Sequence, residues 1–366
     1  MIRPATLSDL EALLAIEQRC FRTDRLSRRS FRHLLTRGHA ATLLDQSPEG
    51  RIRGYVLLTF SRGTSMARLY SIAVHPDFTG QRVGDGLVQA AESAAVEHDC
   101  VVMRLEIRKD NAASQSLFRR HGYRQFKEVL DYYEDHMDAL RFEKSLAPYL
   151  QPALARVPYY EQTLDFTCGP ASLMMAMKAL EPSLTLDRKL ELRIWRESTT
   201  IYMTSGHGGC GPYGLALSAH QRGFALEVFV NDATVFLVDS VRSPEKKEVM
   251  RLVQEDFLAE LEHLPVAVHH RTLGVDELAE QFEAGGIPVV LISSWRIYGE
   301  RFPHWVVVTG FDEHYIYVHD PFVDYEQGES VTDSVNMPIP RREFQRMARY
   351  GKAGQKAVLI LRRRDT

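Results

Sequence analysis

Three prolines interrupt the middle of the chain, in the segment SLAPYLQPALARVPYY that runs from Ser145 to Tyr160. Proline fixes φ and lacks a backbone donor, so neither a helix nor a central strand can continue through this segment. A chain of 366 residues also exceeds the usual size of a single hydrophobic core. We therefore predict two domains, 1–147 and 157–366, joined by a linker over 148–156.

Charge and composition narrow the range of partners. The 45 Lys and Arg residues nearly balance the 48 Asp and Glu residues, so the net charge gives no reason to expect nucleic acid. Arg3, Asp9 and Glu11 interrupt the start of the chain, unlike a signal peptide, and no apolar run approaches the ~18 residues that span a bilayer. The four cysteines are too sparse for a disulfide framework or a zinc site. We expect a soluble, cytoplasmic protein with reduced thiols, no membrane partner and no metal; its oligomeric state stays open.

The two halves differ in the order of their predicted elements. The first half alternates strands and helices, whereas the second half begins with a helix and places its strands late, which together indicate an α+β fold in two domains. The predicted elements are strands 53–60, 66–74, 101–107, 288–293, 305–309, 315–318 and 357–361, and helices 87–98, 112–121 and 168–180.

A glycine-containing segment in the first half is a candidate anion site. The sequence LYSIAVHPDFTGQRVGDGLVQAAESAA leads from a predicted strand through a loop into an alanine-rich helix. Gly84 and Gly86 permit tight backbone geometry, so the amides of residues 82–87 could converge at a helix N-terminus, where a diphosphate is favoured. Gly-x-Gly before a helix is equally consistent with an ordinary turn.

The order of the surrounding segments resembles the GNAT superfamily of acetyltransferases over about residues 1–145. The stretch Gln81-Arg82-Val83-Gly84-Asp85-Gly86 is similar to the loop by which that superfamily holds the pyrophosphate of CoA, and LEIRKDNAASQSLFRRHGY is similar to its second conserved block, above all in the ribosomal-protein alanine acetyltransferases. The resemblance implies acetyl-CoA as cofactor and a peptide or protein substrate. The cofactor-binding residues that it implies are Ile72, Val74, Gln81, Arg82, Val83, Gly84, Asp85, Gly86 and Asn111.

The same resemblance assigns a base and leaves the acid in question. Glu106 falls where these enzymes carry the proposed base, although a strand carboxylate without catalytic function is the alternative. Phe118 occupies the place of the usual tyrosine acid and cannot donate a proton. One of Tyr123, Tyr132 and Tyr133 could replace it, solvent could assist the leaving thiolate, or the domain could bind without efficient transfer.

Cys-Gly-Pro occurs twice in the second half, at Cys168 and at Cys210. Apolar residues follow Cys168 at helical spacing, so this cysteine is predicted in a first helical turn, where the dipole stabilises a thiolate. Cys210 lies among glycines in SGHGGCGPYG, which predicts a loop. Position favours Cys168 only modestly, and a buried structural cysteine is the alternative.

A predicted hairpin supplies a histidine and a carboxylate. In HWVVVTGFDEHYIYVHDP the turn is centred near Asp312, so His304 and Asp320 should face each other across adjacent antiparallel strands. A carboxylate in that place can orient an imidazole, and a purely structural pair is the alternative. His314 in the turn and His319 on the opposite face are weaker candidates.

Residues 156–325 resemble the papain-like, bacteriocin-processing cysteine peptidases that cleave after a double glycine. The resemblance rests on a glutamine six residues before a Cys-Gly, followed later by a His-x-V-V strand and an Asp-Pro; Gln162, Cys168, Gly169, His304, Asp320 and Pro321 match it. It implies a papain-like fold, with Cys168 as nucleophile, His304 as its activator, Asp320 as the orienting carboxylate and Gln162 as oxyanion donor. The best-known members adjoin transmembrane exporters, and this chain has no predicted span.

Together the two resemblances predict an enzyme that cleaves peptide bonds and acetylates an amine on a peptide or protein. One alternative is an acetyltransferase whose second half only binds the peptide, and another is a protein that binds peptide and CoA without catalysis. A transferase that uses the same acyl-enzyme also stays open, because a fold does not determine a function.

Overall fold

The computed structural model describes residues 1–200, 208–231, 234–327 and 329–364. The chain separates into two compact units, Met1–Tyr149 and Leu150–Thr366. The division falls inside the predicted linker, and Ala153–Leu154 near the end of that linker form a strand of the second unit. Across the described residues, every helix is too short or too polar to span a lipid bilayer.

The N-terminal unit is built on one mixed sheet. Its strands pair in the order β1-β2-β3-β4-β5-β7-β6, and only β4 with β5 is parallel. The elements are β1 (Ile2–Pro4), α1 (Leu10–Cys20), α2 (Arg28–Thr36), β2 (Ala40–Gln46), β3 (Ile52–Phe60), β4 (Met66–Val74), α3 (Val83–Glu97), β5 (Val102–Arg108), α4 (Ala112–Arg120), β6 (Arg124–Val129) and β7 (Ala139–Ser145).

Strands β4 and β5 pair only where they begin. Their parallel register joins Met66–Arg68 to Val102–Arg104, whereas β4 continues to Val74 and β5 to Arg108. The carboxyl ends of the two strands therefore separate, and backbone groups there are released from pairing with each other.

Helix α3 begins at Val83, four residues before the predicted start at Leu87. Gly84 and Gly86 consequently lie in its first turn, so the prediction that they shape a loop is wrong. The left-handed backbone conformation occurs earlier, at Gly80 with φ 78° and at the N-cap residue Arg82 with φ 58°. The turn that leads into the helix thus depends on Gly80 and Arg82.

The C-terminal unit contains a second sheet. Within the described residues its strands pair in the order β10-β9-β15-β11-β12-β13-β14, and β8 adds to β12. The elements are β8 (Ala153–Leu154), α5 (Cys168–Leu180), α6 (Arg188–Ser198), α7 (Pro212–Gln221), β9 (Phe224–Val230), α8 (Pro244–Glu262), β10 (Ala267–His269), α9 (Val275–Glu283), β11 (Ile287–Ser293), α10 (Trp295–Tyr298), β12 (Pro303–Phe311), β13 (Tyr315–His319), α11 (Val331–Ser334), β14 (Met337–Pro340), α12 (Arg341–Met347) and β15 (Ala357–Arg363).

The predicted succession of helices first and strands last is wrong for this unit in one respect, because β9 and β10 lie between helices. A short apolar run such as FALEVFV is ambiguous in sequence between a strand and a buried helical segment. The α+β class itself is confirmed.

Helix α5 is almost entirely buried and packs on the sheet through β12. Ser172 Oγ donates a hydrogen bond of 2.9 Å to the backbone oxygen of Trp305. A Cβ at Gly169 would lie 3.2 Å from Trp305 Cδ1 and 3.3 Å from Cys210 Cβ, so a larger residue would require these neighbours to shift by a few tenths of an ångström. The start of α5 is thereby held beside the residue that follows His304.

The register of the β12–β13 hairpin differs from the prediction. A bulge between Val308 and Gly310 shifts the pairing, so that Val307 lies opposite His319. Phe311 pairs with Ile316, so the hairpin is centred later than the predicted Asp312. His304 and Asp320 are therefore diagonal and not directly opposite, and the extra residue of the bulge in β12 reduces their offset from three residues to two. Long side chains still meet across such a diagonal.

Candidate active sites

His304 and Asp320 form a buried hydrogen-bonded pair at the end of the hairpin. The distance from His304 Nε2 to Asp320 Oδ1 is 2.6 Å, and both side chains are almost completely excluded from solvent. Asp320 is held in turn by Tyr298, whose hydroxyl donates to Oδ2 at 2.8 Å, and by the amide of Phe322, which donates to Oδ1 at 2.9 Å. Each carboxylate oxygen thus has a defined partner, as an orienting carboxylate requires.

Cys168 completes the arrangement from the first turn of α5. Its sulfur lies close enough to His304 for its negative charge to raise the pKa of the imidazole, and the residue is buried. Since Asp320 occupies Nε2, the nitrogen of His304 that remains for the thiol is Nδ1. The structure thus brings together Cys168, His304 and Asp320, which we call the candidate triad.

The charge state of His304 reflects two opposing influences. Burial disfavours the imidazolium, but the negative charges of Asp320 and of the Cys168 sulfur outweigh burial and raise the pKa of His304. The hydroxyl of Tyr298 stays protonated and able to donate, because burial and the charge of Asp320 raise its pKa. His304 can therefore be an imidazolium at neutral pH, next to the sulfur of Cys168.

Gln162 lies next to the candidate triad. Its backbone amide donates to the carbonyl of Pro321 at 2.8 Å, and its side-chain Nε2 donates to the carbonyl of Leu164 at 2.9 Å. An amide nitrogen carries two hydrogens, so one remains available for a further acceptor after this bond. The bond to Leu164 orients the side chain.

Two other candidates from the sequence, Cys210 and His319, are part of the packed framework of the unit. Cys210 is fully buried, and burial followed by the nearby Cys168 raises its pKa well above the usual range. His319 bonds through Nε2 to the carbonyl of Val157 at 2.8 Å and accepts at Nδ1 from the amide of Asn336 at 2.9 Å. Both ring nitrogens are thus engaged in the backbone framework, away from His304.

Glu191, on α6, is a residue of this site that sequence reasoning missed. Its buried carboxylate accepts hydrogen bonds from the Thr163 amide at 2.8 Å, the Thr163 hydroxyl at 2.7 Å and the Tyr160 hydroxyl at 3.0 Å, and also from the Thr167 hydroxyl. These donors surround Gln162 and immediately precede Cys168. The available signal was that Glu191 shares a helical face with buried Ile194 and Ser198.

The N-terminal unit contains a cavity of about 760 Å³ at the start of α3. Its lining includes six of the predicted cofactor-binding residues, which are Ile72, Val74, Arg82, Val83, Gly84 and Asp85. Gln81, Gly86 and Asn111 are not among the lining residues, and the Asn111 side chain instead caps α4 by accepting from the Ser114 amide at 3.0 Å. Ser114 and Arg120, both overlooked in the sequence, do line the cavity.

The cavity has the chemistry expected of a diphosphate site. The free amides of the first turn of α3 and its dipole favour an anion, and Arg82 and Arg120 add positive charge. The carboxylate of Asp85 is held by His121 at 3.0 Å and by Arg120 at 3.4 Å. The residues that line the cavity and their charges are thus consistent with a diphosphate-containing ligand such as CoA.

Glu106 and Phe118 have less favourable surroundings for proton transfer. The buried carboxylate of Glu106 lies between Arg68, at 3.0 Å, and Arg141, at 3.4 Å. Phe118 packs in the core, edge-on to Tyr123 at 5.2 Å between ring centroids, and the hydroxyl of Tyr123 contacts the sulfur of Met103 at 3.0 Å. Burial raises the pKa of both Tyr123 and Tyr133, so neither loses its proton near neutral pH.

Comparison with known proteins assigns both units to families. Residues 157–362 match the Peptidase_C39 like family, and residues 10–123 match the acetyltransferase (GNAT) family. Both resemblances from the sequence are thereby confirmed.

Similar individual proteins correspond to the N-terminal unit. A Bacillus subtilis protein named as a ribosomal protein bS18-alanine N-acetyltransferase is 27% identical over 135 residues, which is 37% of this chain and 87% of that protein. An N-alpha-acetyltransferase of Sulfolobus acidocaldarius is 29% identical over 149 residues, covering 38% and 88%. Among solved structures, the Escherichia coli ribosomal-protein-S18-alanine N-acetyltransferase is 23% identical, with a TM-score of 0.37 over 40% of this chain and 93% of that one.

Proposed function

Because the chain belongs to the Peptidase_C39 like family and carries a GNAT domain, we propose that it is a bifunctional peptide-modifying enzyme. In this proposal the C-terminal unit hydrolyses a peptide bond with Cys168, and the N-terminal unit transfers an acetyl group from acetyl-CoA to an amine of a peptide or protein. The observation that supports the hydrolytic part is the buried hydrogen bond between His304 and Asp320, with Cys168 in the first turn of the helix that packs on the same strand.

The proposed hydrolysis proceeds in two steps. The Cys168 thiolate attacks the substrate carbonyl carbon. The second N–H of Gln162 and the free backbone amide of Cys168 stabilise the oxyanion that forms. The C–N bond then breaks as His304 gives its proton to the leaving amine. Water then attacks the thioester while His304 takes its proton, and the thiol is released with the acid product. Asp320 keeps the imidazole oriented through its hydrogen bond to Nε2.

The acetyl transfer is supported by the cavity at α3. Acetyl-CoA supplies the activated acetyl group, and Arg82, Arg120 and the first-turn amides of α3 would hold its diphosphate. Since both oxygens of Glu106 already face arginines, we propose that Glu106 acts on the amine through water and not by direct contact. Because Phe118 cannot donate a proton, the departing thiolate would be protonated by solvent.

One peptide could be the substrate of both units. Hydrolysis liberates a new α-amine, and an α-amine is a chemically competent acceptor for the second activity. Acting within one chain, the second unit would meet this amine at a raised effective concentration.

The test is incubation of the full chain with acetyl-CoA and a peptide library, followed by mass spectrometry of the products. We expect new N-termini that carry an acetyl group, loss of cleavage in Cys168→Ser, and retained cleavage in the control Cys210→Ala. Cleavage that persists in Cys168→Ser would refute the assigned nucleophile. Cleaved peptides that never gain an acetyl group would refute the shared substrate, and acetylation without cleavage in the unaltered chain would favour a C-terminal unit that only binds peptide.

A further inference from the structure

A second cavity, in the C-terminal unit, is lined largely by cations. It has a volume of about 880 Å³, and we call it the basic cavity. Trp295 and Tyr350 also line it, and no carboxylate residue is among its described lining residues. Its cations are Arg242, Lys247, Arg296, Arg301, Arg346, Arg349 and Lys352.

Most of this positive charge is not neutralised within the described part of the chain. Glu343 pairs with Arg296 and with Arg346, each at 2.6 Å. The other five cations have no carboxylate partner within ion-pairing distance among the described residues. A concentration of one charge sign in a concave surface, on a chain whose net charge is −3, attracts ligands of the opposite sign.

The basic cavity adjoins the candidate triad along the sheet. Ser293 lines the cavity and pairs with Pro303, the residue before His304, while Ile292 pairs with His304 itself. Helix α10 begins at Trp295 on the cavity wall and ends at Tyr298, which donates to Asp320. Along the chain, the wall of the basic cavity thus comes within one residue of the strand pair that carries His304.

We propose that the basic cavity binds an acidic segment of the peptide substrate, an assignment that rests on the proposed hydrolytic function. Arginines recognise carboxylates through paired N–H donors. Trp295, which is 50% exposed, carries the guanidinium of Arg301 over its ring at 5.0 Å and provides a flat surface beside the charges. The position beside the triad favours a peptide over a nucleic acid of equal charge.

Binding is measured on Cys168→Ser protein, so that turnover does not contribute. Fluorescence anisotropy would follow a short labelled polyglutamate peptide at low and high salt, with polyglutamine of the same length as the neutral control. In this background the triple variant Arg301→Gln, Arg349→Gln, Lys352→Gln should bind on the order of tenfold more weakly at low salt, and the difference should shrink as salt screens the charges.

A matched triple variant removes the same charge elsewhere, through Arg188→Gln, Lys189→Gln and Arg196→Gln on the exposed side of α6. It should bind polyglutamate as tightly as the parent. Equal affinity of the two triple variants would overturn the proposal, as would single-stranded DNA of the same charge that binds as tightly as the peptide. If the unaltered chain cleaves no peptide while the basic cavity still binds polyglutamate, only the proposed hydrolysis is contradicted.

Discussion

Replacing Glu191 should weaken both the fold of the C-terminal unit and the reactivity of Cys168. Its carboxylate accepts four hydrogen bonds from the segment between Tyr160 and Thr167, and that segment carries Gln162 and leads into α5. In Glu191→Ala the hydroxyl of Tyr160 and both donors of Thr163 lose this acceptor, whereas the Thr167 hydroxyl keeps the carbonyl of Leu164 at 2.8 Å. Because the carboxylate of Glu191 is itself fully buried, water does not simply take its place, and the value of the lost bonds is not recovered in full.

The magnitude follows from the number and type of these bonds. Hydrogen bonds to a charged group contribute about 1.5–3 kcal/mol each, but bonds to one group are not additive, so the total should equal about two such bonds, on the order of 3–6 kcal/mol. We expect a loss in that range for Glu191→Ala. Glu191→Gln keeps one oxygen as acceptor, and the hydroxyl partners can rotate to accept from its NH2, so about 1–2 kcal/mol should be lost.

Tryptophan fluorescence during urea unfolding measures this loss in the relevant unit, because Trp195, Trp295 and Trp305 all belong to it. Alkylation of Cys168, read by peptide mass mapping under folded conditions, should slow in Glu191→Ala and change less in Glu191→Gln.

The control for Glu191 is Glu197→Gln on the same helix. Glu197 accepts from Ser218 at 2.8 Å and from Arg222 at 2.7 Å, outside the segment before Cys168. The variant Glu197→Gln should lower the free energy of unfolding without altering the rate at which Cys168 is alkylated. If Glu191→Ala unfolds like this control and leaves the alkylation unchanged, Glu191 does not position the site.

Three further changes test other parts of the structure. Asp320→Asn removes the charge that sustains the imidazolium, so alkylation of the candidate nucleophile below about pH 7 should fall by at least about tenfold and recover only at higher pH. The partner Arg3 lowers the pKa of Asp9 from 3.8 to about 2. About 2 kcal/mol of stability should therefore be present above pH 4 and lost as pH falls towards 2. Asp9→Asn should abolish this loss in acid titrations followed by circular dichroism. Gly84→Val fills the lining of the cavity at α3 and should weaken acetyl-CoA binding, measured by calorimetry, by at least about tenfold, whereas Gly86→Ala outside that lining should not.

The sequence predicted the parts of the C-terminal site that depend on local pattern. The apolar spacing after Cys168 matches α5 from its first residue to its last, and the strand-like runs on either side of Asp312 match two paired strands. The bulge could not be predicted, because nearly every residue of β12 is buried and the sequence therefore has no alternation whose change of phase would reveal an inserted residue. Glu191 was missed because its four partners lie 24 to 31 residues away in the chain.

The prediction for the N-terminal unit failed at a helix boundary. The glycines at 84 and 86 disfavour a helix in sequence, since each costs about 1 kcal/mol there. The structure nevertheless begins α3 at Val83, where the side chains of Val83 and Leu87 are buried in the core. Gly84 is retained beside Leu117, since a Cβ there would lie 3.3 Å from Leu117 Cδ2. Tertiary packing therefore outweighed local propensity at this position.

The pairing of β8 with β12 sets a lower limit on the fragment that could fold as a peptidase. The backbone oxygen of Ala153 lies 2.5 Å from the position that a Cβ of residue 310 would occupy. The amide of Ala155 donates to the backbone oxygen of Thr309 at 2.8 Å. These contacts cover the bulge that determines how His304 reaches Asp320. A fragment that begins at Val157, where the family match starts, would expose an unpaired edge at this bulge. The residues that connect the two units are thus also a structural part of the second one.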